Sequence, residues 1–586
     1  MHLIRMRVAI LAFVCAFGSA AFAQAVPAEA CPRGVAGDAV PEPEDLRGRD
    51  GILRVDFSYR TMVDGRGLTR YCYLYNHTIQ SPTLRVKPGD RLTITLHNEL
   101  PAASTTAIHT PAMAASGQGC GHGPMTASST NLHFHGLVIP PVCHQDDTLK
   151  TLIQPGDPPF EYSFKIPPDQ PPGLYWYHPH VHGFNKAQVL GGASGALIVE
   201  GIETVDDAVS GLPERVLVIR DQELLNPDAA PVQSDSMPAP QVLRDAEGDI
   251  LNTGTGKGKP AKDLSINFVP VSYPQYQPAV IVMKPQERQL WRVVNASAIT
   301  YLDLQLLFNG RPQQLGVVAE DGVPVNENGN QAQKIVWKGH SLIPPAGRME
   351  FIIKGPGEGV RASLVTRTVD SGPAGENDPT RPLATIRTSV DAPERLSLIP
   401  ASPRSLTLAS GPPLKEATPV RERKLYFSEV PQDPKNPSSP TVFFLTVDGK
   451  TPAPFDPNAP DPNIVVRQGE VEDWIIENRS LELHDFHIHQ THFQLLQWNG
   501  VPVDEPYLRD TVNVPYWDGH SSVFPSVKIR VDFRSPNLVG TFVYHCHLLE
   551  HEDGGMMGTI RVEAPGNSAA EGRSQSPKVA VRGSSR

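Results

Sequence analysis

The chain reads as an all-β protein built from three related β-sandwich domains, and three observations predict it. At 586 residues it is too long for a single hydrophobic core and suits three domains of ordinary size. Pro 59 and Gly 48 are both high, so turns are frequent, and the apolar runs between them are short and rich in Val, Ile, Leu and Thr. A segment also recurs three times: Val86 to Asn98 (VKPGDRLTITLHN), Met283 to Asn295 (MKPQERQLWRVVN) and Val466 to Asn478 (VRQGEVEDWIIEN). Each copy carries an acid (Asp90, Glu287 or Glu470) eight residues before its Asn, with alternating apolar residues between. This is the pattern of a turn feeding a half-buried strand.

In chain order, residues 1–23 read as a secretory signal: Arg5 and Arg7, an apolar run from Val8 to Phe17, then the small-x-small Ala21-Phe22-Ala23. The run is short for a membrane span, and no later stretch is long and apolar enough to make one. Residues 24–50 are a polar lead-in. The first sandwich is placed at 51–205; inside it, Pro101 to Thr130 is a long loop whose His109, His122, Met113 and Met125 read as ordinary loop residues. The second is placed at 210–390, a Pro- and Ser-rich linker at 391–422, and the third sandwich at 423–564. Residues 565–586 are poor in apolar residues and read as a disordered tail. The expected location is therefore periplasmic or secreted. The formal net charge of −11 becomes −13 when Arg5 and Arg7 leave with the signal, and a surface this acidic disfavours nucleic acid as a partner.

Cys15 leaves with the signal, so five of the six cysteines remain. In an exported chain, Cys31, Cys72, Cys120 and Cys143 can form two disulfides in any of three pairings. Cys546 is then the odd one, and it lies between His545 and His547.

Histidine is the most informative residue. Ten of the twenty fall in four clusters: His133-Phe134-His135, His178-Pro179-His180, His484-Asp485-Phe486-His487-Ile488-His489, and His545-Cys546-His547 with His551. Between His182 and His484 only His340 occurs, so the metal chemistry belongs to the first and third sandwiches and the second reads as a scaffold. Each cluster contains a His-x-His pair, and on a strand period-two alternation puts both imidazoles on one face. Cys546 then faces away from His545 and His547. His484, three positions before His487, also faces away and joins Cys546, His551 and Met556. Two histidines and a cysteine with a weak axial methionine is the ligand set of a blue-copper site. Zinc also takes histidine and cysteine, but explains neither the eight further imidazoles nor the methionine.

These four clusters, in this order, resemble the copper motifs of the three-domain multicopper oxidases, the laccase-like family, and the resemblance covers nearly the whole chain after the signal. It implies three cupredoxin-like Greek-key domains and four copper ions. A type 1 copper would lie on His484, Cys546, His551 and Met556, and a type 2 copper on His133 and His487. One type 3 copper would take His135, His178 and His547, and the other His180, His489 and His545. It also implies one-electron oxidation of a small reductant at the type 1 site, passage of the electron across Cys546, and four-electron reduction of O₂ to water. Asp146, Asp147 and Glu552 stand at or near the positions of proton-relaying carboxylates. The Cys143-His144-Gln145-Asp146-Asp147 stretch is longer than in well-known relatives, which leaves open which aspartate serves. His144, His182 and His492 match no ligand position, and Asp510 could sit near the type 1 edge or make a turn or salt bridge. Phenols or similar aromatics are the leading reductants, with Cu(I) or Fe(II) the close rival; a copper-binding protein without turnover is a third reading. A monomer is expected.

Overall fold

The computed structural model describes residues 30–102, 120, 125–230, 243–246, 248–325, 334–398, 413–436, 439–505 and 507–565. The signal, the first residues of the lead-in, most of the 101–130 loop, the middle of the linker and all but the first residue of the tail lie outside these residues.

The threefold repeat becomes three equivalent strands, Arg91–Asn98, Arg288–Asn295 and Val471–Asn478. Each pairs in parallel with the first long strand of its own block: Ile52–Val63, Glu214–Gln222 and Arg421–Pro431. The repeated acid closes the turn before the strand, accepting a hydrogen bond from the backbone N–H three residues earlier: Lys87 to Asp90, Lys284 to Glu287, Arg467 to Glu470. The repeated asparagine locks the strand's far end. In each copy its carboxamide N–H₂ donates to two backbone carbonyls and its oxygen accepts from the N–H two residues on. Buried backbone groups must be paired somewhere, and one side chain here satisfies three at a point where the chain leaves the sheet.

Six sheets result, two from each block, and the two of a block pack face to face. The arrangement is that of all-β sandwich domains with non-sequential strand order. Each block encloses its own core, around Phe57 and Ile94 in the first, Trp291 and Phe351 in the second, and Trp474 and Phe486 in the third. Further apolar residues join the first two blocks: Leu174, Trp176, Ala196 and Ile198 meet Val216, Val218, Val294 and Ala296.

The lead-in is more ordered than a polar tether. Asp45–Arg47 forms an edge strand parallel to Thr83–Val86, and Ala39 bridges to Val280 of the second block, so the segment straps two domains together. Two disulfides form, Cys31–Cys72 and Cys120–Cys143, and Cys546 is free and buried. The short helices Asn185–Leu190 and Leu549–Asp553 join the first and third blocks: the Asp553 carboxylate accepts from the backbone N–H groups of Gly183, Asn185 and Lys186. Among the described residues no helix is long and apolar enough to cross a membrane.

Candidate metal centre

The strand His484–Ile488 pairs with Gly540–Cys546 so that His487 faces His545 and Phe486 faces Cys546. In the first block His133–His135 pairs with Gly173–His178, bringing His133 opposite His178. Alternation then sorts the side chains onto two sides of the third block's sheet.

On one side Cys546 Sγ lies 3.5 Å from His484 Nδ1 and 3.7 Å from His551 Nδ1, and the two nitrogens are 3.1 Å apart. His551 comes from the helix Leu549–Asp553, which turns back over the strand end. Met556 is fully buried in the same apolar cluster as Cys546, and its backbone carbonyl accepts from the Cys546 N–H. The outward nitrogens of both imidazoles meet carboxylates: His484 Nε2 is 2.9 Å from Glu429 and 2.7 Å from Ser480 Oγ, and His551 Nε2 is 3.4 Å from Glu482. Burial pushes the Cys546 thiol well above its usual range, so without a cation it keeps its proton.

On the other side eight imidazoles converge from the first and third blocks. His180, His489 and His545 form one group, with His545 Nε2 3.3 Å from His180 Nε2 and 3.1 Å from His489 Nε2. His135, His178 and His547 form a second triangle, ring centroids 5.2 to 5.8 Å apart. His133 and His487 lie between these groups, stacked on His489 and His135 at 4.0 and 3.9 Å.

Several of these rings are held by one nitrogen, leaving the other free. His133 Nδ1 is 3.0 Å from the Asp146 carboxylate, His178 Nδ1 2.9 Å from the Pro179 carbonyl, and His487 Nδ1 2.8 Å from the Asp510 carbonyl. The remaining nitrogens, Nε2 of His133, His178 and His487, are buried without a hydrogen-bond partner, as are His135 Nδ1, His489 Nδ1 and both nitrogens of His547. Orphaned buried polar atoms need a partner. Burial first, and neighbouring imidazoles second, push the pKa of His133, His180, His489 and His547 well below its usual value, so these rings stay neutral with a lone pair available. Neutral imidazoles and a buried cysteine are a borderline-to-soft donor set that suits copper. The residues present therefore fit the group that the sequence motifs imply.

Asp146 is fully buried beside this cluster. It accepts from the Phe134 N–H and, at 2.6 Å, from the Gln490 side chain, while burial pushes its carboxyl up to about 8. Glu552 places its two oxygens 3.1 Å from His545 Nδ1 and 3.4 Å from His180 Nε2, and the Asn185 amide donates to it. Asp147 is not brought to the cluster; its carboxylate accepts from the Lys150 N–H and closes a local turn.

Asp510 is not at the edge of the Cys546 site. It lies on the imidazole side, 3.3 Å from His135 Nε2, gripped by Arg348 at 2.7 and 2.5 Å. Asp321 in turn accepts from the N–H groups of Asp510 and Thr511 and from the Arg348 N–H. The second block thus does more than space its neighbours: Arg348 and Asp321 clamp the segment that positions His135 and His487. No local motif marks these two residues, because the Asp510 they hold is 162 and 189 positions away. Gln490 had a signal, directly after His489, and its φ of 58° holds it in the left-handed region. His144 stacks on Phe160, His182 lies edge-on to Phe455, and His492 is 3.8 Å from Asp510.

Two family models, both described as multicopper oxidase, match residues 123–204 and 433–566, the stretches that carry the four histidine clusters. The multicopper oxidase mco of Staphylococcus aureus is 25% identical over 498 residues, 83% of each chain. Among solved structures, the McoA multicopper oxidase of Aquifex aeolicus superposes with a TM-score of 0.62 at 19% identity, covering 90% of this chain and 100% of that one. A multicopper oxidase from Campylobacter jejuni, described as a metallo-oxidase, gives 0.61 at 24% identity over 91% and 96%.

Proposed function

Because this chain belongs to the multicopper oxidase family, we propose that it couples one-electron oxidation of a small reductant to four-electron reduction of O₂ to water. Four copper ions are assigned: one on His484, Cys546, His551 and Met556, and three shared among His133, His135, His178, His180, His487, His489, His545 and His547. The observation that carries this reading is the tripeptide His545-Cys546-His547. Its sulfur faces the Nδ1 atoms of His484 and His551, while its imidazoles belong to two separate histidine triangles. Bound copper supplies one-electron redox chemistry on the cysteine side and O₂ reduction on the imidazole side.

The chain's own residues do the rest. Cys546 and its flanking peptide form a covalent link of a few bonds between the two sides. Arg348, Asp321 and Asp510 hold His135 and His487 in place, and burial keeps the imidazoles neutral and excludes bulk water. Reduction of one O₂ to two waters consumes four protons. Asp146, whose carboxyl burial holds protonated to about pH 8, and Glu552, pushed up by the same cause, can hold protons at carboxyl oxygens within 3.4 Å of His133, His545 and His180.

Phenols and other aromatics are one class of reductant, and Cu(I) or Fe(II) the other; an iron transport multicopper oxidase of Gibberella zeae is 24% identical over 83% of this chain. The signal-like leader supports a periplasmic or secreted location. The test is oxygen uptake by the copper-loaded protein with a phenol, with Fe(II) and with Cu(I). Uptake with any of these, at four electrons per O₂, supports the reading; copper binding with no uptake from any would leave a copper-binding protein instead.

A further inference from the structure

Where the lead-in passes over the first and second blocks it borders a cavity of about 400 Å³, and none of the lining residues belongs to the metal centre. Arg33 of the lead-in, Ile79 and Ser81 of the first block, and Val218, Arg220 and Phe268 of the second all line it. Phe268 stands with Asn267 in the turn joining the paired strands Asp263–Ile266 and Val269–Val271, and their φ values of 67° and 46° are both left-handed. A bulky side chain rarely adopts that conformation. Here it sets one aromatic ring against two guanidiniums, with Cζ of Arg220 4.0 Å and Cζ of Arg33 4.5 Å from the ring centroid.

Arg220 is only 3% exposed. Its Nε donates to Ser194 Oγ and its Nη2 to the Ser194 carbonyl, both neutral acceptors, and Nη1 donates to nothing among the described residues. Other buried arginines of the second block each have a carboxylate: Arg292 has Glu214, Arg348 has Asp510, and Arg381 has Asp378. Arg220 forms no ion pair among the described residues. Burial first, and the like charge of Arg33 second, push its guanidinium down to about 9, so it is still a cation at neutral pH. The acids on the lining do not answer it. Glu42 is held by Arg215 and Arg395, and Glu44 is exposed. The Ser81 hydroxyl is also buried without a hydrogen-bond partner. A buried cation lacking a counter-charge is costly, and orphaned donors beside a cavity call for an acceptor.

We propose that this cavity is a binding site for a small aromatic carboxylate. The carboxylate supplies the counter-charge that Arg220 lacks, and the ring packs among Phe268, Ile79 and Val218. A bare inorganic anion would meet the charge and leave the apolar lining unfilled. A neutral aromatic would fill the lining and leave the charge unmet. The site stands whether or not the oxidase reading does. Its occupant touches the lead-in and two blocks at once, so binding favours the assembled chain.

Benzoate is the probe, and the copper-loaded protein is titrated by calorimetry. One benzoate should bind per chain, and the thermal midpoint should rise with benzoate concentration. Benzyl alcohol, with the ring but no charge, and inorganic phosphate, with charge but no ring, should each bind at least about tenfold more weakly. Arg220→Met, which keeps the apolar stem, and Arg33→Gln should each weaken benzoate binding by about tenfold, the scale of one lost charge-assisted contact. An unchanged thermal midpoint without benzoate shows that each variant is folded; if Arg220→Met does not fold, Arg33→Gln decides by the same criterion. The proposal is overturned if benzoate does not bind, if it binds equally well to wild type and the folded variants, or if benzyl alcohol or phosphate binds as tightly.

Discussion

Asp146 and Asp147 are adjacent in sequence and differ in almost everything else. Asp146 points inward, sharing its carboxylate between His133, Gln490 and the Phe134 N–H; Asp147 points at the Lys150 N–H. Sequence alone offers two equal candidates, because which of two neighbouring side chains faces the cluster depends on a loop that has no simple period. If Asp146 holds a proton for O₂ reduction, Asp146→Asn should lower kcat by about 10² to 10³, the usual span for loss of a positioned acid. Asp147→Asn should stay within about threefold of wild type. Steady-state oxygen uptake on the two variants, with copper content measured in each, checks this. Equal losses in both, at full copper, would remove Asp146 from the proton path.

At the scale of elements, the three asparagines that end the repeated strands are the plainest link between sequence and fold. Asn98, Asn295 and Asn478 each satisfy three backbone groups, and their spacing from the turn acid is visible as a repeat in the sequence alone. Asn478→Ala leaves two buried carbonyls and one N–H without their partner. The expected loss is about 2–4 kcal/mol of stability, read as a lowered midpoint in chemical denaturation; a change below about 1 kcal/mol would mean that the asparagine is ornamental. The strand alternation of His545-Cys546-His547, and the opposite facing of His484 and His487, were equally legible, because a two-residue period fixes direction locally. Arg348 and Asp321 were not. Their role depends on the second block docking against the segment Asp510–Thr511, a long-range contact with no local signature. The same reason hid Glu482, which meets His551 from a position 69 residues earlier in the chain. The lead-in misled differently: its strand at Asp45–Arg47 is three residues long, too short for alternation to register.

The molecule as a whole carries two opposing sets of buried titratable groups, and their balance sets how its stability responds to pH before copper is added. Burial raises the carboxyls of Asp378, Asp510 and Asp553 to about 7 and that of Asp146 to about 8. A raised folded-state pKa means that the native chain keeps protons the unfolded chain has released. That contribution is full below the unfolded value of about 4 and is lost as pH rises through about 7 to 8. The cluster imidazoles run the other way. His133, His135, His180, His487, His489 and His547 are held neutral well below their usual value, and their contribution is lost as pH falls through the unfolded value of about 6.5. Below about 6.5 the two sets therefore oppose each other and the dependence is shallow. Between about 7.5 and 8.5 the unfolded imidazoles are nearly all neutral as well, and the raised carboxyls dominate the proton exchange on unfolding. The copper-free protein should lose stability as pH rises across that window. Thermal denaturation of the copper-free chain from about pH 7.5 to 8.5 checks it, and a midpoint that stays level or climbs would contradict it.

At the centre of the proposed oxidase is a single buried tripeptide whose sulfur faces His484 and His551 and whose imidazoles face the other histidines. The most direct measurement is the copper content and visible spectrum of Cys546→Ser beside wild type. Loss of one copper from four, together with the intense blue band, is the result expected if Cys546 serves only the site with His484 and His551 while His545 and His547 serve the other. A variant that keeps the blue band, or that keeps all four coppers, would contradict it.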